Sequence, residues 1–117
     1  MIKSYKDLIV WQKSMDLAEK IYKVTEEFPA KEVFGITSQM RRASVSVPSN
    51  IAEGYGRQST GSYAQFLSIA RGSLYELETQ TELSFRFKYI AAKDFEKIQN
   101  ESSEISKMLT SLISKFK

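Results

Sequence analysis

Apolar residues recur along this chain three and four positions apart, the period of one helix face, without the sustained alternation of a sheet. From about 7 to 27, Leu8, Trp11, Met15, Ala18 and Tyr22 form one stripe. Val10, Leu17, Ile21, Val24 and Phe28 form a second beside it, more apolar width than one core-facing seam needs. Ser4 precedes Asp7 at capping-box spacing, and Pro29 stops the helix. Asp16–Lys20 and Glu19–Lys23 are spaced as i,i+4 pairs on a solvated face.

A second helix, about 36 to 53, places Ile36, Met40, Ala43, Val47 and Ile51 on one stripe. Pro48 falls inside it, frees the carbonyl of Ser44 and predicts a kink. Ser44–Val47 alternates strictly, but so short a run without a partner strand makes a poor sheet. Gly54 fits the C′ position that ends a helix. A third helix, about 62 to 89, aligns Tyr63, Phe66, Ala70, Leu74, Leu77, Thr81 and Phe85, while Leu67, Ile69, Leu83 and Phe87 widen the apolar surface. Ser62 with Gln65 matches a capping box, and Ser59 suits an earlier start. The fourth, about 94 to 116, keeps Phe95, Ile98, Ser102, Ile105, Leu109, Leu112 and Phe116 in heptad register. Four long amphipathic helices with short connections predict an all-α, up-down-up-down four-helix bundle occupying 1–117 as a single domain.

Composition narrows the chemistry. Two prolines and five glycines in 117 residues are too few for a turn-rich β-sandwich. Cysteine and histidine are both absent, which excludes thiol nucleophiles, disulfides, Cys/His zinc sites and a histidine general base. No enzyme and no cofactor is expected on that basis. The N-terminal segment lacks the apolar core of a signal peptide, and no stretch reaches the roughly 18 apolar residues of a bilayer span. A cytoplasmic location and no membrane partner are therefore expected.

Seventeen basic against fourteen acidic residues leave a net charge of +3. It is dispersed: residues 1–60 hold nine basic and seven acidic groups, and 61–117 hold eight and seven. Arg41-Arg42 is the densest basic point, with Arg57 beyond the end of the second helix, and guanidinium groups so placed suit phosphates. Pairing with an acid is the ordinary fate of such a pair. Gly56-Arg57-Gln58-Ser59-Thr60-Gly61-Ser62 lacks the lysine of a phosphate-binding loop and reads as a connection. Glu76, Glu78 and Glu82 have no histidine to complete a di-iron set; Glu78, Glu82 and Arg86 instead read as a surface ladder ending in a salt bridge. The surplus apolar width, with Trp11, Phe87 and Tyr89 in it, points to self-association.

Three stretches carry a family likeness. Leu8-Ile9-Val10-Trp11-Gln12-Lys13, Gly35 through Ala43, and Val45-Ser46-Val47-Pro48-Ser49-Asn50-Ile51-Ala52-Glu53-Gly54 resemble the 23S rRNA-intervening-sequence proteins, also called the four-helix-bundle protein family. Phe66 through Leu74 and Glu76 through Gln80 extend the likeness. The family is similar in architecture to the accessory variability determinant of diversity-generating retroelements, a homopentameric barrel that binds nucleic acid and a reverse transcriptase. The resemblance implies a homo-oligomer, by that analogy a homopentamer, and supplies no catalytic residues. Pro48, Asn50, Glu53 and Gly54 match its most characteristic motif and read as structural. Pro48 would bend the helix, Asn50 and Glu53 would satisfy backbone near the bend, and Gly54 would end it. The sequence thus predicts a non-enzymatic homo-oligomeric scaffold that binds structured RNA or DNA through backbone phosphates, with Arg41, Arg42 and Arg57 as the first contacts. The alternative is a protein-interaction adaptor, with a partner such as a polymerase and no nucleic-acid contact of its own.

Overall fold

The computed structural model describes residues 1–117 as four helices with no strand. They are α1 (Ile9–Thr25), α2 (Ile36–Tyr55), α3 (Thr60–Arg86) and α4 (Ala92–Phe116). Single 3-10 turns at Tyr5–Asp7 and Ala30–Glu32 precede α1 and α2. Helices adjacent in the chain pack on one another, α4 closes onto α1, and the backbones of the diagonal pairs stay apart. Short connections make neighbours antiparallel, so the helices run up, down, up and down in a bundle 43 × 24 × 22 Å.

The core is one apolar cluster fed by every helix. Leu17, Ile21, Met40, Ile51, Leu67, Leu74, Leu77, Ile98, Ile105 and Leu109 are fully buried. On α1 the buried stripe is Val10, Leu17 and Ile21, while Met15 and Tyr22 of the parallel stripe remain 40% and 42% exposed. Some small polar residues of the core have local partners: Ser14 donates to the Val10 carbonyl at 2.7 Å and Thr81 to that of Leu77 at 2.8 Å, whereas the hydroxyls of Thr37 and Ser102 have none.

Some local expectations hold and others are corrected. The capping box at Ser4 and Asp7 closes the first 3-10 turn, so α1 itself begins at Ile9. Lys20 reaches Glu101 of α4 at 2.7 Å and Lys13 reaches Glu104 at 2.9 Å, tying α1 to α4; Asp16–Lys20 and Glu19–Lys23 form no salt bridge. Residues 44–47 are helical, and α2 continues through buried Pro48. Gly54 does not end α2, which runs to Tyr55 with Gly56 as its cap. Ser59, not Ser62, caps α3: its side chain accepts from the Ser62 N–H at 3.1 Å. Arg86 Nε meets Glu82 Oε2 at 3.2 Å, closing the predicted ladder.

Candidate functional site

Three surfaces are the candidates for binding: an apolar groove between α1 and α2, a polar cleft between α2 and α3, and one cationic end. The groove forms because α1 has two apolar stripes and the core takes fully only one, leaving Met15 and Tyr22 of the other exposed. Trp11, Met15 and Tyr22 from α1 face Val45, Pro48 and Ala52 from α2 across about 690 Å³. Tyr5 stacks edge-on against Trp11, ring centroids 5.3 Å apart, at one end. Glu19, Lys23 and Ser49 are the polar residues of its lining.

The polar cleft, about 320 Å³, is lined by Gln39, Arg42, Ala43, Ser46, Glu76 and Gln80. Gln80 is buried there with its Oε1 unpartnered. Beside it, Asn50 Nδ2 donates to the Ser46 carbonyl at 2.8 Å and to Ser46 Oγ at 3.0 Å, and Ser46 Oγ lies 2.8 Å from Ser73 Oγ. This network bridges α2 to α3. Asn50 thus satisfies backbone close to Pro48, at the carbonyl of Ser46 rather than that of Ser44. Glu53 does not; it forms an exposed pair with Arg57 at 2.9 Å. Gly54 is buried, and an added Cβ would stand 2.7 Å from Phe66 Cβ, so its place is a close helix contact.

The three arginines do not share a surface. Arg41 turns onto the C-terminal end of α1: its Nε donates to Thr25 Oγ1 at 2.8 Å, its Nη2 to the Tyr22 carbonyl at 3.2 Å, and the guanidinium lies over the Tyr22 ring at 4.6 Å. Those are the unpaired carbonyl region and negative dipole end of a helix, where a cation is favoured. Arg42 is exposed at the polar cleft and makes no ion pair. Arg57 pairs with Glu53 and covers the Phe66 ring at 4.7 Å. Arg41 stands fourteen residues before the end of α2 at Tyr55, about 21 Å of helix at 1.5 Å per residue, and Arg57 lies beyond that end.

Positive charge gathers elsewhere. The end of the bundle where α1 starts, α2 meets α3 and α4 stops comprises residues 1–9, 53–64 and 107–117. It holds Lys3, Lys6, Arg57, Lys107, Lys115 and Lys117 against only Asp7 and Glu53. Both acids are already engaged. Asp7 Oδ2 accepts from the Lys3 and Ser4 N–H groups at 2.8 and 3.2 Å, and Glu53 holds Arg57. None of the five lysines forms an ion pair. The rest of the molecule carries eleven basic and twelve acidic residues. Aromatic rings underlie this end: Tyr63 lies 4.9 Å from Phe116 and 6.1 Å from Tyr55. Burial, and then the neighbouring Tyr55, push the Tyr63 hydroxyl above its ordinary pKa. No group of three or more acidic residues assembles to hold a metal, and no helix is long and apolar enough to cross a membrane.

The profile of a family described as 23S rRNA-intervening sequence protein matches residues 6–111. Among solved structures, the chain is similar to a protein of unknown function from the S23 ribosomal protein family of Bacteroides thetaiotaomicron. The two share 33% identity with a TM-score of 0.81, covering 90% of this chain and 98% of that one. No curated protein matches.

Proposed function

The chain belongs to the 23S rRNA-intervening sequence protein family, and we propose that it is a non-enzymatic homo-oligomeric scaffold holding structured RNA or DNA by backbone phosphates at its lysine-rich end. The observation that carries this reading is the segregation of charge: five unpaired lysines stand at one end of a molecule otherwise close to neutral. Flexible ammonium groups contact phosphates as point charges and carry no base readout, so shape and not sequence selects the ligand. Of the arginines singled out by sequence, Arg57 lies at this end and Arg42 is free at the cleft, whereas Arg41 is committed to α1. The assembly is a homopentamer by analogy with the retroelement determinant, and a cytoplasmic setting accompanies the reading.

Titration of a structured RNA against the native protein over a range of salt tests it. Each phosphate contact to a duplex contributes about 0.9 to the slope of log K against log salt. The slope is expected to be steep and to fall in Lys3→Ala/Lys6→Ala/Lys115→Ala/Lys117→Ala, while Arg41→Gln leaves it unchanged. Binding that ignores salt, or no retention at low salt, overturns the reading. The apolar groove supports a second reading, an adaptor that docks a partner protein such as a polymerase with no nucleic-acid contact of its own. Pull-down recovery that survives nuclease treatment would select it.

A further inference from the structure

Phe34 is a large apolar residue standing almost free in solvent, 94% exposed, with Val33 beside it at 52%. The segment that carries it is held firmly. The Val33 N–H donates to the Ala30 carbonyl at 3.2 Å and the Gly35 N–H to that of Glu32 at 2.9 Å. The Tyr89 hydroxyl donates to Glu32 Oε2 at 2.8 Å, anchoring the loop to the connection between α3 and α4. With its backbone held in this way, the segment has little to order on docking. The same chain presents, on its α1–α2 side, an open groove floored by Trp11, Met15, Val45 and Pro48.

We propose that Phe34 of one copy of this chain seats in the α1–α2 groove of a second copy. This proposal rests on the self-associating reading above and assigns its contact. Knob and groove come in equal number from every chain, so copies of the chain hide both surfaces at once. On the groove lining Glu19 and Lys23, and beside the knob Lys31, all lack an ion pair, which leaves Glu19 open to the Lys31 of a second copy. A whole side of the bundle, 43 × 24 Å or on the order of 1,000 Å², is large enough to contain the ~800 Å² that each partner gives to a stable interface. The knob lies on the connection between α1 and α2 and the groove along the flank, so the contact is head-to-tail. Such a contact closes into a ring when its rotation permits.

Mixing experiments read this directly. Phe34→Asp removes the knob and Val45→Asp blocks the groove; both positions are exposed, and far-ultraviolet circular dichroism confirms that each variant keeps its helices. Wild type is expected as an oligomer by light scattering and each variant alone as a monomer. The mixture is expected to give a two-chain species of about 27 kDa, twice the 13.4 kDa chain, because one intact knob meets one intact groove. A Phe34→Asp protein with the mass of the wild-type oligomer, or a mixture that stays monomeric, overturns the proposal while leaving the scaffold reading in place. A monomeric wild type overturns both.

Discussion

At Gly54 the space for one methyl group decides how α2 meets α3. A Cβ there would approach Phe66 Cβ to 2.7 Å and Tyr63 Cδ1 to 3.1 Å, whereas one at Gly72 would meet nothing within 4 Å. Gly54→Ala is therefore expected to lower stability by about 1–3 kcal/mol through overpacking, despite the better helix propensity of alanine. Gly72→Ala, in open space on the same bundle, should raise it by about 0.5–1 kcal/mol. Urea denaturation of the pair checks both signs. Glu78 gives a pH-dependent case, because burial raises its carboxyl above the ordinary carboxylate value of 4.5. A folded pKa above the unfolded one means that the charged form burdens the fold at neutral pH and that protonation relieves it. Glu78→Gln should raise the unfolding midpoint at pH 7, and the gain should vanish as pH falls through the folded pKa toward 4.5. Arg41 shows what single residues conceal in a sequence. Its basic character is plain, but its partners, Thr25 and Tyr22, lie sixteen and nineteen positions away and are set by helix packing.

The elements show the same division between local signal and packing. The period of the apolar residues was sufficient to place all four helices, because each buries one face of a regular repeat. Their ends were less legible wherever the usual stop residue was missing. After α3 the chain turns at Lys88 with φ +66°, a left-handed position normally given to glycine. The Tyr89 N–H reaches the Ser84 carbonyl and the Lys88 N–H reaches that of Phe85, both at 2.9 Å, a Schellman closure made without its usual residue. That is why sequence carried this helix on to residue 89. Left-handed backbone costs a side-chain-bearing residue roughly 1–2 kcal/mol, so Lys88→Gly should stabilise the fold by up to about 1 kcal/mol in thermal unfolding, net of glycine's added unfolded-state freedom. The double stripe of α1 was legible as surplus apolar width, and it became the wall of the groove. Gly54 misled because a glycine near a helix end suits both a terminator and a close contact, and only the position of Phe66 separates the two.

The cationic end belongs to the whole molecule and is invisible in the linear chain. Lys3 and Lys6, Arg57, and Lys107, Lys115 and Lys117 come from three distant stretches, and the two halves of the sequence each average to nearly neutral. Antiparallel topology alone brings these stretches to one end. A single chain still carries only +3, modest for holding a polyanion, whereas five copies carry +15 and present five such ends in a symmetric array. In the proposed reading, assembly is what would turn a weakly charged helical bundle into a nucleic-acid scaffold. The molar mass of the native protein by light scattering tests that claim most directly. About 67 kDa, five chains of 13.4 kDa, is the predicted result, and a species of 13.4 kDa would contradict it.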